Sequence, residues 1–148
     1  MPSHAEAPEA TRRALDAYIK LMRAANTVNR AIKGGVAEAG LTTTQLGVLE
    51  ALYHLGPMCQ RALGEKLLVS GGNVTTVVDN LERDGMVRRE RSEVDRRYVT
   101  VHLTDAGRER IGTFFPHHAE QIRQAMAALS PDEQDALQRL CKKLGTSL

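Results

Sequence analysis

Gly56 to Thr104 reads GPMCQRALGEKLLVSGGNVTTVVDNLERDGMVRRERSEVDRRYVTVHLT, and its interpretation decides the fold. It spells a short helix, a turn, a second helix and a β-hairpin. Ser70 is a good N-cap, and Val74, Val77, Val78 and Leu81 then fall at i, i+3, i+4 and i+7, one apolar stripe of a helix that Gly85 ends as a C′ residue. Turning that stripe inward sets Gly72, Thr76, Asp79 and Arg83 along the opposite face, with Thr75 on one flank and Asn73 and Asn80 on the other. Hydroxyl and amide side chains there suit base edges in a DNA major groove, and Gly72 lets the backbone approach closely.

Residues 86–91 and 98–103 read as two strands, Val99, Val101 and Leu103 alternating with period two. The hairpin carries Arg88, Arg89, Arg91, Arg96 and Arg97, only partly neutralised by Glu90, Glu93 and Asp95. Arginine at such a tip suits phosphates or a narrow minor groove, where the negative potential is strongest. Asp79 is out of place on a face meant for phosphate: it accepts from cytosine, pairs with an arginine of its own wing, Arg97 being the candidate, or is a plain exposed helix charge.

The order of residues in the hairpin carries a resemblance. Asp95-Arg96-Arg97 followed by Val101, Leu103 and Thr104 resembles the D-x-R-x-x-x-V-x-L-T wing signature of the MarR family, and Leu103-Thr104-Asp105-Ala106-Gly107 its L-T-x-x-G. The run from Asn73 to Val87 is similar to the recognition helix of that family and the G-[LM]-V that leaves it. The resemblance implies a homodimeric winged-helix regulator, a repressor on a pseudo-palindromic double-stranded DNA operator, released by a small molecule or an oxidant. It implies that residues 70–83 form the recognition helix, that Arg97 is the minor-groove residue, and that Asp95 and Arg96 shape the wing or face phosphate. Thr76 and Asn80 stand where many members carry a basic residue, so guanine readout by Arg or Lys is not implied here.

Composition sets outer limits. A chain of 148 residues fits one domain with or without dimerisation arms. The 20 Lys+Arg against 18 Asp+Glu leave a net charge of +2, so DNA affinity must come from local clustering. Aromatic residues at 3%, with no Trp, argue against base-stacking single-strand binders. No apolar run suits a membrane span and no secretory h-region opens the sequence, which makes the cytoplasm the expected location. Cys59 and Cys141 are too few to staple a fold.

Outside the central stretch, the sequence predicts a flexible tail over 1–11 and an N-terminal dimerisation helix over 12–40 with apolar positions from Leu15 to Ile32, loosened or ended by Gly34-Gly35. The winged helix-turn-helix is expected over 41–104. It opens with a capping box at Thr42 and Gln45, then a helix with Leu46, Leu49, Leu52 and Tyr53 inward, a short strand at Met58-Cys59 and a supporting helix from Gln60 to Leu68. Residues 105–148 read as C-terminal dimerisation helices. The first is capped by Thr104, carries Ile111, Phe115, His118, Ile122, Met126 and Leu129 inward and is kinked at Pro116; the second restarts at Ser130-Pro131 and buries Leu137, Leu140, Cys141 and Leu144. The predicted class is thus mainly α with a small β-wing, a winged helix-turn-helix flanked by helical dimerisation arms.

By the usual pocket position of the family, an effector would wedge near Tyr18, Met22, Tyr53 and His54. Cys59 is a redox candidate that would make the chain a thiol-sensing repressor, though a structural thiol is the stronger reading. A winged-helix module for protein contacts is the alternative from another class. Adjacent His117 and His118 face different sides of a helix, so no metal site is expected. No nucleophile elbow or phosphate-cradling loop is present, and neither catalysis nor a cofactor is expected.

Overall fold

The computed structural model describes residues 4–67 and 71–148; Ser70 and Leu68, to which the sequence assigns a cap and a helix end, lie outside them. Among the described residues, six α-helices and three short strands follow in the order α1 (Glu9–Glu38), α2 (Thr43–Leu55), β1 (Met58–Cys59), α3 (Gln60–Leu67), α4 (Gly71–Arg83), β2 (Val87–Arg91), β3 (Val99–Leu103), α5 (Asp105–Ala125) and α6 (Pro131–Thr146). They form two compact units, one of residues up to Lys33 with Gln121–Leu148, the other of Gly34–Glu120.

The second unit holds the winged module. Its core joins Leu46, Val48, Leu49 and Leu52 of α2 to Leu63 of α3, Val74, Val78 and Leu81 of α4, Val87 and Val101 of the sheet and Ile111 of α5. The expected stripe of α4 therefore turns inward, with Val77 half-buried at its edge. Thr42 caps α2 in the expected capping box, its side chain accepting from the Gln45 N–H while the Gln45 side chain accepts from the Thr42 N–H. β3 lies between β1 and β2, both antiparallel to it.

Two glycines end helices in the left-handed region. Gly85 (φ 76) follows α4, with the Met86 N–H bonded back to the Leu81 carbonyl, the Schellman closure expected of a C′ glycine. Gly40 (φ 74) does the same for α1, with Leu41 N–H donating to the Val36 carbonyl. Of the two outcomes expected at Gly34-Gly35, loosening or ending α1, the ending is not observed. The helix runs on to Glu38 because Gly35 and Val36 are buried, and burial of Val36 in the core offsets a glycine cost of about 1 kcal/mol per residue. At its other end α1 begins at Glu9, inside the stretch read as tail.

In the first unit, Ser130 and Glu133 form the expected capping box of α6 with Pro131 in the first turn, and the Ser130 hydrogen bonds hold the Glu133 carboxyl below its ordinary pKa. The predicted burial along α6 is not observed. Leu140 is 59% exposed and Leu144 50%, Cys141 is exposed and Leu137 half-buried, because among the described residues no other segment covers that side of the helix. On α1 of the same unit Leu15, Tyr18 and Met22 are exposed as well. α5 ends at Ala125, earlier than its apolar periodicity suggests, and includes Pro116 without interruption.

Candidate nucleic-acid interface

α4 carries its polar face as period 3.6 requires: Asn73, Thr75, Thr76, Asp79 and Arg83 are exposed and Asn80 is half-buried. Gly72 stands in the first turn of the helix. β2 and β3 set the wing beside it through the register Val87↔Leu103, Arg89↔Val101 and Arg91↔Val99. Cross-strand partners share a face of the sheet, so Arg89 lies on the side of buried Val87 and Val101, and Arg88, Glu90, Thr100 and His102 lie on the other.

That alternation divides the arginines. Arg88 and His102 both reach Glu90 on the outer face, at 3.3 and 3.0 Å. Arg89, by contrast, runs back onto α4. Its Nη1 meets the Asp79 carboxylate at 2.6 Å and the Glu82 carboxylate at 3.2 Å, Nε donates to Gln60 Oε1 at 3.0 Å, and Nη2 donates to the Thr75 carbonyl at 3.3 Å. Two expectations are corrected here. The wing partner of Asp79 is Arg89 and not Arg97, and Arg89, its side chain only 21% exposed, is a strut between wing and helix and not an open cation for DNA. The cause is the two-residue period of β2, which puts Arg89 on the inner face behind Val87. Charge alone groups it with its neighbours; its spacing from Val87 is the signal that separates it.

Gln60 and Glu82 are site residues that the sequence reading did not single out. Gln60 Nε2 also donates to the Thr75 hydroxyl at 3.0 Å, joining the start of α3 to α4. Glu82 accepts from the backbone N–H of Arg89 at 2.9 Å.

The wing tip is built on Asp95. Its carboxylate accepts from Arg97 through Nε and Nη2, the latter at 2.7 Å, and from the Arg97 backbone N–H at 3.1 Å. The Arg97 side chain, then its backbone N–H, hold the Asp95 carboxyl below the usual range, and Asp95 raises the Arg97 guanidinium in return. Asp95 N–H donates to the Ser92 hydroxyl and Tyr98 N–H to the Asp95 carbonyl, while Arg91 is tied to the Arg96 carbonyl at 3.1 Å. The Arg97 head nonetheless stays 86% exposed and Arg96 is exposed.

A groove of 940 Å³ brings the two elements together: Thr75 of α4 and Arg97 and Tyr98 of the wing line it, with Cys59, Gln60 and Arg61 at the start of α3. Cys59 is half-buried, and its Sγ accepts from the Ala62 N–H as a cap of α3. Tyr53 and His54 pack edge to face on α2, with Phe115 against His54, while Tyr18 and Met22 lie exposed on α1. His118 is 3% exposed, stacked on Phe114 and 3.5 Å from Glu50. Among the described residues no group of three or more His, Cys, Asp or Glu could hold a metal ion, and no helix is long and apolar enough to cross a membrane.

Against known proteins, a sequence model described as the MarR family matches residues 41–99. The chain is 42% identical over 137 residues to YkoM of Bacillus subtilis, named an HTH-type transcriptional regulator, covering 93% of this chain and 89% of that one. It is similar, with TM-score 0.79 and 27% identity over 88% of this chain and 98% of the other, to BpsR of Bordetella bronchiseptica, described with the regulation of its DNA binding by 6-hydroxynicotinic acid. Sco3205 of Streptomyces coelicolor, a MarR family regulator solved in complex with DNA, superposes with TM-score 0.83 at 24% identity over 96% and 90% of the two chains, a likeness of fold.

Proposed function

The chain belongs to the MarR family of DNA-binding transcription regulators, and on that premise we propose that it acts in the cytoplasm as a homodimeric repressor, gripping a pseudo-palindromic double-stranded operator until a small-molecule effector releases it. The observation that carries this reading is the meeting of Thr75 and Arg97 on one groove, a hydroxyl-bearing helix face beside an exposed arginine tip. α4 enters a major groove with Asn73, Thr75, Thr76 and Asn80 toward the base edges and Arg83 toward phosphate. The wing brings Arg97 to the flanking minor groove and Arg96 and Arg88 to the backbone. A two-fold dimer sets two such helices about 34 Å apart, one helical turn of DNA.

The uncovered apolar side chains of the first unit, Leu140 and Leu144 on α6 and Leu15, Tyr18 and Met22 on α1, supply the dimer surface. Dimerisation through them sets the spacing of the two α4 helices, so a ligand that favours another spacing by a few kcal/mol lowers operator affinity. Control of BpsR by a small aromatic acid supports an effector of that size.

Nuclease footprinting on the intergenic DNA beside the chain's own gene tests the proposal. A protected region with two-fold symmetry and two half-sites about one turn apart is expected, and affinity falls about a thousandfold between 50 and 200 mM salt. Equal protection along any duplex at low salt would refute operator recognition. Leu140→Glu with Leu144→Glu is expected to give a monomer by sedimentation and to abolish the paired footprint; a variant that stays dimeric would place the interface elsewhere.

A further inference from the structure

The geometry points to Arg89 as a positioning residue for DNA binding, one that never touches the duplex but pairs with both carboxylates of α4, halving their net charge, and locks the wing to the recognition helix. The inference rests on the operator reading above and adds a residue whose part in it is indirect. Asp79 and Glu82 stand three residues apart on α4, their side chains 58% and 42% exposed, on the helix proposed to enter a major groove. Left bare, two negative charges there would repel the phosphates that line the groove.

A single guanidinium answers both. Arginine has five N–H donors in a rigid fork, and here the fork reaches from β2 to Asp79, Glu82 and the Thr75 carbonyl on α4 and to Gln60 on α3, joining three segments of the fold. The Glu82 carboxylate closes the connection from the other side by accepting the Arg89 backbone N–H. With α4 and β2 joined through one side chain, the outward face of the helix and the Arg97 tip keep a fixed offset before DNA arrives, so ordering them is not deducted from binding.

The test is a double-mutant cycle on the full-length chain and the footprinted duplex. Arg89→Gln is expected to weaken binding about tenfold. In a background already carrying Asp79→Asn and Glu82→Gln, the same change is expected to cost under about threefold, with the salt dependence unaltered. Equal losses in both backgrounds would overturn the inference, as would a salt slope lowered by about one per protomer, the mark of a direct phosphate contact. An unaffected Arg89→Gln overturns it too. Should Arg89→Gln not fold, Arg89→Lys keeps the charge without the fork and is expected to weaken binding about threefold to tenfold in the parent background and under about threefold beside Asp79→Asn and Glu82→Gln; parent-like binding by Arg89→Lys would overturn the locking role. A parent chain that fails to footprint refutes the operator reading; a parent that binds while the cycle is flat refutes Arg89 alone.

Discussion

Gly107→Ala is expected to destabilise the winged unit by about 3 kcal/mol, the upper end of what overpacking costs and a large share of a typical domain's stability. The reason is a backbone approach with no room for a methyl. A Cβ at Gly107 would stand 2.0 Å from the Met86 carbonyl oxygen and 2.9 Å from its carbon, and neither atom belongs to a side chain that can turn aside. Met86 is held on both flanks: its N–H bonds to Leu81 at the end of α4 and its carbonyl accepts from Thr104 N–H at 3.1 Å. Thr104 adds its hydroxyl to the Gly85 carbonyl and caps α5 by accepting from the Gly107 N–H at 3.0 Å. The L-T-x-x-G sequence is therefore one joint, in which threonine starts the helix and glycine lets it press onto the exit of the recognition helix. Urea unfolding checks this, as a lowered midpoint with unchanged slope. Gly112→Ala is the control, since its Cβ would meet Tyr53 at an ordinary 3.5 Å and alanine favours a helix by about 1 kcal/mol. Equal stabilities for the two variants would show that Met86 can move and that the joint is not tight.

The same joint marks how far the sequence could be read. The valine stripe of α4, both capping boxes, Gly85 and the alternation of β3 are local patterns, each settled by residues within two turns of one another, and the folded chain has them all. The direction of Arg89 is local too, yet five arginines in one hairpin read as a single cationic surface until Val87 and Val101 are seen to bury the face that Arg89 shares. Its link to Gln60, 29 residues away, has no local pattern at all. The continuation of α1 through Gly34-Gly35 depends on a core that Val36 enters, and the exposure of Leu140 and Leu144 on which other described residues reach α6, neither of which periodicity within one helix contains.

Arg97→Ala is expected to lower operator affinity about a hundredfold, since the proposed two-fold dimer would lose an arginine from each wing at once. The unbound tip shows how the residue is held ready. Asp95 fixes the Arg97 backbone and grips its side chain from one edge, while the rest of the guanidinium faces solvent. A pair this exposed is weak, so a minor groove or a phosphate can take over the guanidinium while the backbone bond keeps the tip in shape. Its pH range follows from the depressed Asp95 carboxyl: the pairing contributes fully above the ordinary carboxylate pKa and is lost only as pH falls through the lowered one. Titrations between about pH 6 and 8 therefore read Arg97 itself and not the charge of Asp95. The proposed dimer and the melting temperature should be unchanged, because the Arg97 side chain is 86% exposed and its pairing with Asp95 lies at the surface, and the salt slope should fall by about two for a dimer. Band-shift titration of Arg97→Ala beside the parent decides the matter. Parent-like affinity with a parent-like slope would take Arg97 off the duplex and leave exposed Arg96 as the cation of the tip.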